Sequence, residues 1–298
     1  MATVDLSQLP QPQIIETLDF EAILLDVKAV MIAAFPDDQQ ASVTAALALE
    51  SEPLNQLAQV ITYRELMLRQ RINDGAAACM LSHAVSGDLD NLAANLNTER
   101  LVITEDTETA DAIMESDEAF RLRAQAAFEG LSVAGPTAAY EYFAKSANGK
   151  VKDAKATSPS PAAVVVSVLS SEGNGGASTE LLATVEAALS AEDKRPVGDR
   201  LTVQSAEIVS YQINALLYLY PGPESEPIHN AAQKALESWI SEQGKIGRDV
   251  VRSAIMAALH VQGVQRVELL EPVADIVISD TQAGYCEAFT IEDGGTDE

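Results

Sequence analysis

The stretch AVVVSVL, residues 163–169, decides how the middle of this chain folds. A continuous apolar run rich in valine favours a strand that is buried on both faces of a sheet. The preceding Ser158-Pro159-Ser160-Pro161 predicts a turn, because each proline fixes φ and lacks a backbone donor. Before that turn, Val151 to Thr157 predicts a second strand, so the two strands should be neighbours.

The residues that follow the buried strand predict a helix and a third strand. Gly173-Asn174-Gly175-Gly176 indicates a flexible loop, and Ser178 can cap a helix after it. Leu201 to Ala206 predicts the third strand. The apolar face of the helix consists of Leu181, Leu182, Val185 and Leu189. The middle of the chain is therefore predicted to be a small α/β module.

The last third predicts a second α/β module. Ile208 to Tyr220 is a long alternating strand, and a helix begins at Ser225. Further strands are predicted at Val264 to Leu270 and at Tyr285 to Ile291. The acidic, glycine-rich tail, Glu292 to Glu298, is predicted to be frayed.

The first third of the chain predicts helices. Asp19 can cap the first helix, and Pro36 ends it. A longer helical run begins near Leu47, and Gly87 is its clearest terminator. One stripe of this run carries Leu54, Leu57, Ile61, Leu68 and Ile72. The stripe has two interpretations: it is the core face of its own domain, or it is an interface with a helix of another chain.

A change in composition separates these regions. Glu105 to Asp111 is acidic and polar, which is typical of a linker. The sequence therefore predicts an α+β protein with a helical domain at 1–115, a central α/β domain at 116–206 and a C-terminal α/β domain at 207–298. Polar linkers between the modules would allow them to reorient as rigid bodies.

The charge excludes some partners. The chain carries 45 acidic and 19 basic residues, a formal net charge of −26. Such a surface repels phosphate backbones and anionic lipid, so neither a nucleic acid nor a membrane is expected as a partner. The two cysteines form no CxxC pair, and the N-terminus lacks the features of a signal peptide. Together these features place the chain in a reducing cytoplasm.

No motif of known chemistry is present in the sequence, so we expect no catalytic, cofactor-binding or metal-binding residues and no enzyme. The glycine-rich loop at 173–176 lacks a following Lys-Ser/Thr, and the three histidines, His83, His229 and His260, have no second ligand at helical spacing. Two alternatives remain. One is an acidic adaptor or chaperone, and the other is a hydrolase whose carboxylates converge only in the folded protein.

Short motifs in order along the chain resemble the baseplate J family, wedge proteins of contractile phage tails and related particles. The resemblance begins at ESEPL (50–54), YREL (63–66) and LRQRIN (68–73), and continues through LDNLA (89–93). Further matching stretches are EGLSVAGP (129–136), VKDA (151–154), SPSP (158–161), GRDV (247–250), GVQRV (263–267) and ADI (274–276). The β-barrel module that many members carry after the N-terminal helices is absent, since Arg100 runs almost directly into Glu105. Ala162 stands where a glycine often follows the turn.

The resemblance implies a structural role in a baseplate. It implies a homodimer within a wedge, contact with a smaller wedge protein, and contacts with other baseplate, hub and sheath-initiator proteins. The ring of wedges must assemble and then rearrange when the sheath contracts. The implied location is the tail baseplate of the virion, after assembly in the cytoplasm of a bacterial host.

Overall fold

The chain divides into two compact units, Ala2–Asn97 and Thr98–Glu298, in a computed structural model. The structure describes residues 4–6, 9–10, 12–106, 110–132, 134–221 and 225–296. The predicted linker at 105–111 therefore lies partly outside the described residues. The predicted domain limits at 115 and 206 remain predictions.

The first unit consists of helices. They are α1 (Phe20–Ala33), α2 (Asp37–Leu47), α3 (Pro53–Ala78) and α4 (Ser86–Ala94). Asp19 caps α1 as expected, because its carboxylate accepts hydrogen bonds from the amides of Glu21 and Ala22 at 2.8 and 3.1 Å. A small core, centred on Leu24, Val43, Leu47 and Ala58, joins α1, α2 and α3.

The predicted single helix from Leu47 to Gly87 is wrong in extent. The run is broken after Leu47, and α3 begins at Pro53. A proline is tolerated in the first turn of a helix, where its missing N–H has no partner to lose. Gly87 does not end a helix but lies in the first turn of α4.

The second unit begins with short elements. They are β1 (Val102–Thr104), β2 (Ile113–Met114), α5 (Asp117–Ala126), a 3₁₀ turn (Glu129–Leu131) and α6 (Thr137–Ala147). Strands β1 and β2 pair antiparallel, so the predicted linker is the connection between two paired strands. Glu115 and Arg123 form a buried ion pair at this end of the unit, with Nη2 and Oε2 2.6 Å apart.

The central sheet has the order β3-β4-β5, where β3 is Val151–Ser160, β4 is Ala163–Ser170 and β5 is Arg200–Ser205. The apolar run that forms β4 is the middle strand, which confirms its predicted burial. Helix α7 (Thr179–Leu189) and α6 pack on this sheet. The turn is shorter than predicted, because β3 continues through Pro159 to Ser160. Ala162 adopts φ +64°, a conformation that favours glycine.

The C-terminal sheet has the order β7-β6-β8, where β6 is Glu207–Leu219, β7 is Val264–Glu271 and β8 is Gln282–Thr296. Helices α8 (Glu226–Gln243) and α9 (Arg252–Leu259) share a core with it. Alternate residues of β6, from Tyr211 to Leu219, point into this core, as the alternating pattern predicts. Strand β8 extends to Thr296, so the predicted frayed tail is wrong up to that residue.

The two α/β modules meet without a polar linker, contrary to expectation. Only Ala206, which is buried, separates β5 from β6. The carboxylate of Asp153 accepts a hydrogen bond from the Ile246 amide at 3.0 Å, and it forms an ion pair with Lys145 at 2.7 Å. Leu169, Ala206, Ile246 and Ala283 form a small shared core. This junction favours movement of the two modules as one body.

The α+β class is confirmed. Within the described ranges, the strands form three small sheets and no closed barrel, which agrees with the expected absence of the β-barrel module. No helix in those ranges combines the length and the apolar character that a membrane crossing requires.

Candidate functional site

Helix α3 is polar on its buried side and apolar on its exposed side. The buried residues of this 26-residue helix are Asn55, Ala58, Thr62 and Asn73, which are small or polar. A surface helix of a globular domain normally has the reverse arrangement. The unusual polarity makes α3 the candidate functional site.

Hydrogen bonds satisfy part of the buried polar side of α3. The Asn73 side chain donates to the Glu16 carbonyl at 2.9 Å and accepts from the Glu16 amide at 3.1 Å. The amide group of Asn55 donates to the Leu49 carbonyl at 3.0 Å. These side chains thus hold backbone segments near the two ends of the helix, and this pairing offsets part of the desolvation penalty. Asn55 Oδ1 and Thr62 Oγ1 are buried without a hydrogen-bond partner among the described residues.

Four of the five predicted interface residues are exposed. The exposed fractions are 52% for Leu57, 42% for Ile61, 63% for Leu68 and 61% for Ile72. The interpretation that these four residues fill their own domain's core is therefore wrong. Leu54 differs, since it is partly buried against the core of the first unit. We call Leu57, Ile61, Leu68 and Ile72 the α3 stripe.

Three residues of the α3 stripe, Leu57, Ile61 and Leu68, have the spacing of a coiled-coil seam, and Ile72 lies beside it. Positions 54, 57, 61, 64, 68 and 71 alternate in steps of three and four, which are the a and d positions of a heptad. Arginines occupy two of these positions, Arg64 and Arg71, and both are exposed. Val60 and Met67 widen the apolar surface beside the seam, with 60% and 50% of their surfaces exposed.

A third arginine of α3 lies away from the seam and is engaged within its own chain. Arg69 pairs with Glu65 at 2.7 Å and with Glu16 at 3.2 Å. The hydrogen bond that Arg69 donates to Glu65 is the main cause that raises the pKa of Arg69. No ion pair with a described residue involves Arg64 or Arg71. These two cations are therefore available to carboxylates of another chain.

Exposed apolar side chains concentrate in the first unit. Of the 25 exposed large hydrophobic residues among those described, 14 lie before Asn97, in about a third of the chain. Helix α1 contributes Leu25 and Val30, whose exposed fractions are 70% and 71%. A large exposed apolar surface marks an interaction site or a liability to aggregate.

The described residues offer no comparable chemical site. Groups of His, Cys, Asp and Glu that could hold a metal are absent from them. Their two buried carboxylates, Glu115 and Asp153, are both in ion pairs, with Arg123 and with Lys145. The glycine-rich loop at 173–176 is a turn in which Gly173 and Gly175 have positive φ, and Gly175 packs on Leu169. Neither carboxylate is free for acid–base chemistry, so the hydrolase alternative gains no support from this geometry.

Comparison with known proteins gives the family. Residues 50–107 match the Baseplate J-like N-terminal domain, residues 132–205 the Baseplate J-like central domain, and residues 211–292 the Baseplate J-like protein C-terminal domain. The N-terminal match includes all of α3. The chain is 57% identical to Baseplate protein J of Escherichia phage P2, and the alignment covers 100% of both chains. The chain therefore belongs to the baseplate J-like family.

Proposed function

We propose that this chain is a structural component of the baseplate of a contractile phage tail or a related tail-like particle. Membership of the baseplate J-like family, along the whole chain, carries the proposal. The same membership favours a structural role over catalysis. The chain is then a part of the virion's tail baseplate, assembled in the host cytoplasm before the tail is complete.

We further propose that α3 joins a helix bundle at the centre of a wedge. Its seam would pack against α3 of a second copy of the chain and against a helix of the smaller wedge protein. Helix α3 spans about 39 Å, from its 26 residues at 1.5 Å each, which is long enough for several layers of contact. Apolar residues at a and d positions pack as knobs into holes in such a bundle.

The two arginines of the seam indicate the charge of the third helix. In a bundle of two parallel copies alone, each Arg64 would face another Arg64, and like charges in a closed interface repel. A helix that supplies carboxylates opposite Arg64 and Arg71 offsets this repulsion. Each arginine is then buried in a hydrogen-bonded ion pair with a carboxylate. We therefore propose that the smaller wedge protein contributes glutamate or aspartate to the seam.

Charge reversal at the seam tests this proposal. We expect Arg64→Glu with Arg71→Glu to lower the phage titre by about 100-fold or more in a complementation assay, because two attractive pairs become repulsive. The purified variant should keep the circular dichroism spectrum and the thermal stability of the natural chain, since both side chains are exposed.

The matched control is Lys234→Glu with Arg248→Glu. Both residues are exposed in the second unit, so the same change in net charge is made away from α3. We expect this control to support a normal titre. A normal titre for the Arg64/Arg71 variant would show that no acidic helix faces the seam, while leaving the baseplate role itself in place.

A further inference from the structure

Strand β8 is an exposed edge of the C-terminal sheet. It pairs with β6 along its length, from Gln282 opposite Glu207 to Thr296 opposite Leu219. On its other side, Ile246 and Gly247 meet only its first residues, through a bridge to Ala283 and a hydrogen bond from the Gly247 amide to the Gln282 carbonyl. From residue 284 to 296, no described residue outside β6 and β8 pairs with the β8 backbone. Within β8, the Cys286 thiol donates to the Ala288 carbonyl and the Gly295 amide donates to the Asp293 carboxylate. A long unpaired edge is a template for another strand.

The free part of the edge is strongly acidic. Glu287, Glu292 and Asp293 are all exposed, and none forms an ion pair with a described residue. Glu287 and Gly294 are the extra residues where the register with β6 shifts, so they bound a regular stretch from Ala288 to Asp293. Between these bulges the edge can accept an added strand of about six residues.

We propose that residues 288–293 receive an extended, basic segment of another baseplate protein, which adds a fourth strand to the C-terminal sheet. The backbone edge would supply the hydrogen bonds, and Lys or Arg side chains of the partner would pair with Glu287, Glu292 and Asp293. This inference rests on the proposed baseplate function, because it takes the partner from the same particle.

A second copy of the chain is a poorer occupant of this edge. Pairing of β8 with β8 would place three carboxylates of one strand beside three of the other, and like charges across a strand pair are destabilising. Acidic residues and bulges at a strand edge can also serve only to prevent association between copies of the chain, and this is the alternative explanation for the features of β8. The experiment must therefore distinguish an edge that only prevents self-association from an edge that binds a partner strand.

Amide hydrogen exchange in purified tails, compared with the isolated chain, tests occupancy. We expect those amides of residues 287–293 that face away from β6 to exchange about tenfold or more slowly in the tail, because an added strand ties up these backbone groups. If α3 becomes protected in the tail while residues 287–293 exchange at the rate of the isolated chain, this inference is overturned and the baseplate function stands. If neither segment is protected, this inference and the proposal that α3 is an interface both fail.

Charge neutralisation supplies the second measurement. We expect Glu287→Gln, Glu292→Gln and Asp293→Asn together to lower the titre about tenfold or more, while the purified variant stays monodisperse at the size of the natural chain. The control, Glu186→Gln, Glu192→Gln and Asp193→Asn, removes the same charge from exposed positions of the central module and should assemble normally. A triple variant that associates with itself but assembles normal tails would show that the carboxylates only guard the edge.

Discussion

Replacing Ile61 and Leu68 together with aspartate is expected to abolish tail assembly while leaving the chain folded. Both side chains are exposed in the isolated chain, by 42% and 63%, so water solvates the new carboxylates there. In an assembled helix bundle the same carboxylates would be buried without partners, and each uncompensated buried charge costs several kcal/mol. Since 1.4 kcal/mol is a tenfold change in affinity, we expect the phage titre in complementation to fall by about 1,000-fold or more.

The stability of the purified variant distinguishes an interface from a core. We expect its free energy of unfolding to lie within about 1 kcal/mol of the natural chain, as for other exposed positions. Gln56→Asp with Gln70→Asp places two carboxylates at exposed positions of α3 outside the seam, and serves as the matched control. Full titre for the Ile61/Leu68 variant, or loss of its fold, would contradict the assignment of the α3 stripe as an interface.

Removing the carboxylate of Glu115 is expected to produce the largest loss of stability in the second unit. Glu115 accepts two hydrogen bonds from Arg123, at 3.1 and 2.6 Å, and one from the Leu101 amide at 3.2 Å. The side chains of the pair are only 10% and 6% exposed. Glu115→Ala leaves the guanidinium buried without a counter-charge, so we expect a loss of about 3–5 kcal/mol in the free energy of unfolding.

Urea unfolding followed by tryptophan fluorescence measures this loss. The one tryptophan, Trp239, lies in the second unit, so the signal reports on the unit that contains the pair. Glu115→Leu with Arg123→Met should recover most of the stability, because an apolar pair closer to the original volume carries no desolvation penalty. A single variant that loses less than about 1 kcal/mol would show that water reaches the pair.

Local patterns predicted the elements whose apolar residues point inward. The valine run became the middle strand β4, and the alternation in Ile208 to Tyr220 became β6. Such patterns are reliable because burial of apolar surface dominates the folding of these elements. The start of α3 at Pro53 was not predicted, although the preference of proline for the first turn of a helix was the available signal.

The hydrophobic pattern could not predict which side of α3 faces the core of its domain. Periodicity identified the stripe that carries Leu57 and Ile61, but not which side of the helix the domain buries. That side is determined by Asn55 and Asn73, whose partners Leu49 and Glu16 are backbone groups, one of them distant in sequence. Polar contacts of this kind leave no periodic signal.

The sequence prediction also underestimated the length of a strand that is held by backbone pairing. Strand β8 continues through the polar residues Glu292 to Thr296 because β6 offers a hydrogen-bonding edge along its whole length. No apolar side chains are needed for that pairing, so hydropathy ended the strand too early. The Glu115–Arg123 pair was not predicted, because charged residues are rarely buried and no periodic pattern marks a pair that is.

Negative-stain electron microscopy of the particles produced when this chain is deleted tests the central claim most directly. A baseplate component that nucleates assembly through α3 predicts particles without baseplates, or no tails at all, with recovery when the natural chain is supplied in trans. The Ile61/Leu68 variant supplied in trans should fail to restore them. Normal contractile tails with intact baseplates in the deletion would contradict the account.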